Sequence, residues 1–290
     1  MPVPLTAEIM EDNEKVLLYG HPGTGKTHAA LTAPDPIYFL AIGAPNEAKT
    51  YFSKKFQEKH GKKEIFIDVA LEPRDRMGRF KAAVGFDHAC TLLDTALELD
   101  DKGKMEFPTI IVDNATVVEE FQMNKVIEIS GASRDPEAKG KSTYDKFMDE
   151  GILIPADHDW GGAQSLMAKF TSWIFSLEKN VIFIAHEHET TVSNRRTQSS
   201  DLIAVKPLFI GKQRSRIANM FDNVWRMSKQ GQNYYARTVP QDKPFTIIAK
   251  TRIGGVIPEE YANPNLSEAI KKIQAQARKV VQSPTRSGKS

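Results

Sequence analysis

Short apolar runs separated by segments of helical periodicity dominate the pattern of this chain. Lys15–Tyr19 (KVLLY), Ile37–Leu40, Glu64–Ile67, Thr109–Val112 and Val181–Ala185 (VIFIA) are each four or five mostly β-favouring residues long. Runs of that length with so few polar residues fit strands buried on both faces, the kind found in parallel sheets. Between them, residues 86–99 place Phe86, Ala89, Leu92, Leu93, Ala96 and Leu97 on one helical face. Residues 162–178 do the same with Leu166, Met167, Phe170, Trp173, Ile174 and Leu177, and 27–33 and 115–129 also read as helical. The alternation predicts an α/β fold, a mainly parallel sheet flanked by helices.

Beyond residue 220 the pattern changes. Asn223–Met227, Tyr234–Val239 and Phe245–Ala249 read as short strands separated by the turn-rich SKQGQN and PQDK. They predict an antiparallel C-terminal extension of the sheet. Residues 266–282 predict a last helix, and SPTRSGKS (283–290) a disordered tail. Two stretches, 131–160 and 189–207, read as mobile loops. The organisation expected is a core over residues 1–258, with 1–14 as a lead-in, then a C-terminal helix over 259–282 and the tail.

Composition narrows the classes. Lys plus Arg number 39 against 37 Asp plus Glu, so affinity for nucleic acid or membrane must come from local patches rather than a global field. The single cysteine, Cys90, cannot form an internal disulfide and reads as a small buried hydrophobe of a cytosolic protein. No run approaches the roughly 18 apolar residues of a membrane span. The N-terminus carries acids where a signal peptide would be basic and then apolar. A soluble, cytoplasmic protein with no membrane partner is expected.

The most specific motif is Gly20-His21-Pro22-Gly23-Thr24-Gly25-Lys26-Thr27, which fits G-x4-G-K-[ST] between a strand and a helix. Glycines let successive N–H groups converge on a phosphate, and the helix that follows adds its positive N-terminus. Lys26 would reach the β- and γ-phosphates of ATP, and the Thr27 hydroxyl would ligate Mg²⁺. A second carboxylate is needed at the end of an apolar strand to hold the Mg²⁺ shell, and Asp113 in TIIVDN occupies that place. The tail's Ser287-Gly288-Lys289-Ser290 lacks the upstream glycine and the flanking elements.

The wording PGTGKT resembles AAA+ ATPases, but Asn114 follows Asp113 where AAA+ proteins usually have Glu, and strands follow the core where they have a helical lid. The layout resembles a RecA-like P-loop NTPase core instead. Closer still, GHPGTGKT, IIVDNAT, DWGGAQSLMAKF, VIFIAHEHET, KPLFIGKQRSRIANMFDNVWRM and IIAKTRIGGVIP resemble the phage-encoded RecA-core ATPases that include the RecA-like single-strand annealing proteins. The resemblance spans about residues 15–258. It implies ATP binding and hydrolysis, with His186 sensing the γ-phosphate. Its rival readings are a satisfied buried histidine and a metal pair with His188. It implies also that Lys250 and Arg252 reach a neighbouring subunit's nucleotide; the alternative is two solvated bases on an edge strand. Oligomerisation as a ring or helical filament follows from that role. In a phage protein the setting would be the host cytoplasm.

The two loops occupy the positions that bind single-stranded DNA in RecA-type proteins. Arg195 and Arg196 lie in the second, and Lys139, Lys141 and Lys146, beside Tyr144, lie in the first. Such cations neutralise phosphates and a ring can stack on bases, although the first loop is acidic overall and reads equally as a solvated charged loop. One departure bears on catalysis: RecA-type enzymes carry a water-activating glutamate just past the second strand, where this chain has Gly43 or Ala44. Glu47 is the nearest substitute, and slow or absent hydrolysis is the consequence. The function expected is annealing or strand pairing on single-stranded DNA in phage recombination, alongside a single-strand DNA-binding protein. The alternative is an AAA+-like ATPase that remodels or loads a protein partner in phage DNA replication.

Overall fold

The computed structural model describes residues 13–44, 47–74, 76, 81–132, 155, 157–194, 199–209 and 213–282. The central sheet is built from β1 (Lys15–Tyr19), β2 (Ile37–Ile42), β3 (Ile65–Ala70), β4 (Thr109–Asp113), β5 (Asn180–Ala185) and β8 (Asn223–Gln230). These six run parallel in the order β3-β2-β4-β5-β1-β8. Antiparallel strands β9 (Asn233–Arg237), β11 (Lys250–Thr251) and β12 (Glu260–Ala262) complete the far side. Strands β1, β2, β4 and β5 are buried at every residue, which is why their sequences are apolar without alternation.

Side-chain alternation divides the core into two layers. Leu17, Leu40, Val112 and Phe183 face α3 (Gly85–Asp101), α4 (Ala115–Ala132) and α5 (Asp157–Phe175). Val16, Phe39, Ile111 and Ile182 face the opposite layer, where α1 (Lys26–Ala30), Phe56 of α2 (Lys54–His60) and α7 (Leu266–Gln282) lie. A 3-10 helix over Glu47–Phe52 follows β2. Buried Lys15 is hydrogen-bonded at the sheet's other end, its ammonium donating to Leu177 O (2.9 Å) and Lys179 O (2.7 Å).

Four expectations need correction. Residues 189–207 form an antiparallel hairpin rather than a loop: β6 (Glu187–Asn194) pairs with β7 (Ser199–Pro207) from Glu187↔Pro207 to Asn194↔Ser199. Its Thr- and Ser-rich sequence is held by cross-strand backbone bonds more than by burial, so hydrophobicity did not reveal it. Strand β8 is parallel to β1, not antiparallel, because α6 (Gln213–Met220) returns the chain to the starting edge of the sheet. Within 245–249 the strand is β10 (Thr246–Ile247), and it joins β7 in a separate three-stranded sheet. Helix α5 starts at Asp157, so 157–160 are helical; Asp157 and Asp159 in its first turn favour the positive helix end. At the loop's other end residues 131 and 132 still belong to α4; residues 133–154 and 156 and the tail lie outside the described residues.

Candidate functional site

The parallel strands end together at one end of the sheet, where Tyr19 of β1 is level with Ala185 of β5 and Asp113 of β4 is level with Ile184 of β5. The loop Gly20–Gly25 leaves β1 there and enters α1. Gly25 has φ 85°, and a Cβ at that position would lie 2.6 Å from the Tyr234 ring. Only glycine satisfies both demands. The Thr24 hydroxyl donates to His21 O (2.8 Å), tightening the turn. The Lys26 ammonium lies over the same turn, donating to Gly20 O (2.7 Å) and His21 O (2.8 Å).

The Thr27 hydroxyl donates to Asp113 Oδ2 at 2.8 Å, and Asp113 is only 2% exposed. Next along the chain, Asn114 Oδ1 accepts from the Thr116 N–H (2.9 Å). That assignment leaves Nδ2 facing His186 Nε2, 2.7 Å away, where the amide must donate and the imidazole accept. Nε2 therefore carries no proton and the ring is neutral. Burial, with Lys26 as a second cause, also holds the His186 pKa below its ordinary value. Nδ1–H is left as the ring's donor. His186 is further fixed by its N–H donating to Thr116 Oγ1 (3.1 Å).

These groups line a cleft of about 350 Å³. Lys26, Thr27, Asp113, Asn114 and His186 line it together with His28, Thr50 and Tyr234. The residues present fit a nucleotide triphosphate with Mg²⁺. Loop N–H groups and a lysine match phosphates, and a hydroxyl in contact with a buried carboxylate matches a hard cation. Tyr234 escaped sequence reasoning because nothing in YYAR announces that β9 comes beside α1; its ring lies 5.4 Å from His28.

A second cleft of about 380 Å³ shares Asn114 and His186 as a common wall. Gly43 and Ala44 line it, with Glu72, Arg74, Val117 and Glu120. A Cβ at Gly43 would come 2.7 Å from Val117 Cγ1, so of the two positions where a glutamate was sought, Gly43 has no room for a side chain in this packing and Ala44 carries only a methyl group. Glu72 Oε2 accepts from Asn124 Nδ2 at 2.6 Å, while Oε1 is buried without a hydrogen-bond partner. Burial pushes the Glu72 carboxyl up to about 7.

Lys250 and Arg252 lie elsewhere. Lys250 donates to Asn219 O (3.2 Å) and Arg252 contacts Asp222 Oδ1 (2.9 Å). Strand β11 pairs with Asn223 and Val224, level with the start of β1, about 13 Å of strand from the phosphate loop. That separation takes them out of their own chain's cleft. His188 follows on β6, opposite Lys206, whereas His186 Nε2 is engaged by Asn114. Glu47 begins the 3-10 helix, with its side chain outside the described residues, as are Lys139, Lys141, Lys146, Arg195 and Arg196 entirely. None of the described helices is long and apolar enough to cross a membrane.

The profile of a family described as AAA domain matches residues 12–253, most of the chain. No curated protein matches it in sequence. Among solved structures, a prototypical ATPase from the type III secretion system of pathogenic bacteria aligns at 13% identity with a TM-score of 0.38. That alignment covers 93% of this chain and 64% of the other.

Proposed function

The chain belongs to the AAA domain family, and from that premise we propose that it is an ATPase that oligomerises on single-stranded DNA and promotes annealing or strand pairing. The observation that carries the ATPase reading is the contact of Thr27 Oγ1 with buried Asp113, beside Lys26 on its loop and the Asn114–His186 pair. Thr27 and Asp113 would hold Mg²⁺, which when bound would neutralise phosphate charge. Lys26 leaves the loop carbonyls for the β- and γ-phosphates, and neutral His186 offers its Nδ1–H. Gly43, packed on Val117, supplies no base to the attacking water, so turnover is slow unless another carboxylate enters.

The position of Lys250 and Arg252 supports shared sites. They are remote from their own cleft, and cations there serve hydrolysis only by entering a neighbour's. The hairpin supports the DNA reading: β5 passes into β6 through His186 alone, so a single strand runs from the residue at the phosphate end to the point where Arg195 and Arg196 follow in sequence. The setting in phage recombination rests on the resemblance to phage-encoded RecA-core ATPases.

The test is ATP hydrolysis across protein concentrations, with and without single-stranded DNA, using Lys26→Ala as the blank. A DNA-stimulated rate that rises faster than linearly supports shared sites on DNA. A rate proportional to protein, together with nucleotide-independent absence of DNA binding, refutes the DNA part and leaves an ATPase with another partner.

A further inference from the structure

His21 is the one residue of the phosphate loop whose side chain points into a separate polar cluster. Its Nε2 lies 2.8 Å from Glu187 Oε1 and 3.0 Å from Glu189 Oε1. The two glutamates alternate on β6, so they present their carboxylates to the same side of a strand that β7 holds in register. All three donor atoms lie within 4.8 Å of one another. We propose that His21, Glu187 and Glu189 bind a first-row divalent transition ion, zinc being the best match, which clasps the phosphate loop to β6.

The separations fit that role. Two ligand atoms each about 2.1 Å from an ion lie about 3.0 Å apart at a right angle and about 3.4 Å apart at the tetrahedral angle. The observed 2.8 and 3.0 Å are near the right-angle value and about 0.6 and 0.4 Å short of the tetrahedral one, and the two carboxylate oxygens lie within 4.8 Å of each other, so side-chain rotation of the exposed His21 and Glu189 has to complete the site. The donor chemistry selects the ion: an imidazole nitrogen beside two carboxylate oxygens favours zinc and its neighbours over Mg²⁺, which prefers oxygen and water.

The cluster has an outer layer as well. Glu187 has a side chain only 1% exposed, and Arg226 donates from Nε to Oε2 at 3.0 Å and from Nη2 to Oε1 at 3.3 Å. The shorter bond fixes the carboxylate with Oε1 turned towards His21, the orienting part that outer ligands play in metal sites. With one guanidinium against two carboxylates, the cluster carries one negative charge when His21 is neutral, and a divalent ion reverses it to one positive. His21 and Glu189 are 56% and 42% exposed, which leaves water access to the remaining coordination positions. The site is separate from the Thr27–Asp113 pair, and it would join the loop that cradles phosphate to the strand that follows His186.

The experiment is a zinc titration of the full-length protein against a chromophoric chelator, without nucleotide, repeated on Glu189→Gln, His21→Asn and Asp113→Asn. Long-range proton–nitrogen spectra of the imidazoles accompany it. The expected result is one zinc per chain, an affinity at least about tenfold weaker in Glu189→Gln and His21→Asn, no change in Asp113→Asn, and a shifted His21 Nε2 resonance. Glu189→Gln replaces an exposed side chain on a paired strand, so a folded variant remains even if His21→Asn perturbs the loop. Zinc binding no tighter than millimolar, or binding that depends on Asp113 and not on Glu189, overturns the proposal and leaves an ion pair of His21 with the two carboxylates.

Discussion

Replacing Glu72 by Gln tests the electrostatics of the second cleft quantitatively. Glu72 is 9% exposed, with one oxygen bonded to Asn124 and the other buried unpaired. Burial is the largest cause of its rise from 4.5 to about 7, opposed by the Asn124 hydrogen bond. A folded-state value raised above the unfolded one stabilises the fold fully below about pH 4.5, and that contribution disappears as pH rises through about 7. The interval corresponds to about 3 kcal/mol, a large part of the 5–15 kcal/mol typical of native proteins. Glutamine keeps the acceptor for Asn124 and does not ionise. The measurement is urea unfolding of both proteins at several values between pH 5 and pH 8.5. The parent should lose about 2.5 kcal/mol of stability relative to the variant across that window, the first part of the total having gone between pH 4.5 and pH 5. Parallel profiles would refute the reasoning, since a Glu72 ionised in the fold already at pH 5 gives no divergence. Glu14, raised to about 7 mainly by burial, titrates equally in both proteins and cancels.

Further predictions concern the nucleotide cleft. Lys26→Ala should abolish ATP turnover and weaken nucleotide binding measured by a fluorescent analogue, while leaving the unfolding temperature near that of the parent. Tyr234→Ala should weaken ATP binding about 5- to 150-fold if its ring stacks the base and leave tripolyphosphate binding unchanged, whereas Tyr234→Phe should resemble the parent; equal losses for both ligands would place the ring in the loop's support instead. Gly25→Ala forces a side chain into the Tyr234 ring at φ 85° and should cost at least about 1–2 kcal/mol from the backbone alone. Adding Tyr234→Ala should recover the part due to the clash, read from chemical unfolding as a double-mutant cycle. Thr27→Val removes the hydroxyl that meets Asp113 and should raise the Mg²⁺ concentration at half-maximal turnover with little effect on Mg²⁺-free nucleotide binding.

The parallel core was legible because strands buried on both faces have nowhere to put polar side chains, and KVLLY, TIIVD and VIFIA show it directly. The phosphate loop was legible because its chemistry is local: eight consecutive residues contain the curl, the cation and the hydroxyl. Asp113 could be found for the same reason, as the polar end of an apolar run. The hairpin β6–β7 escaped because TTVSN and SSDLIAVK are stabilised by pairing with each other, and pairing partners leave no mark in either segment alone. The direction of β8 was missed because the same five apolar-rich residues suit either polarity, and the choice is made by α6 before them. Tyr234, Glu72 and the carboxylates around His21 become neighbours of the cleft only through contacts between distant segments. PGTGKT resembles AAA+ ATPases, a reading set aside because Asn114 follows Asp113 and strands follow the core, yet the family match is to an AAA domain; the strands after Met220 extend the central sheet, β8 parallel and β9, β11 and β12 antiparallel.

The join between β5 and β6 has a mechanical consequence. Only His186 separates the buried strand from the eight residues of β6, which span about 26 Å when extended. An arm of that length magnifies what happens at its base: a rotation of about five degrees at His186 sweeps the far end through about 2 Å. A rotation at that end too small to alter the sheet would thus become, at Asn194, a displacement comparable to the difference between a made and a broken hydrogen bond.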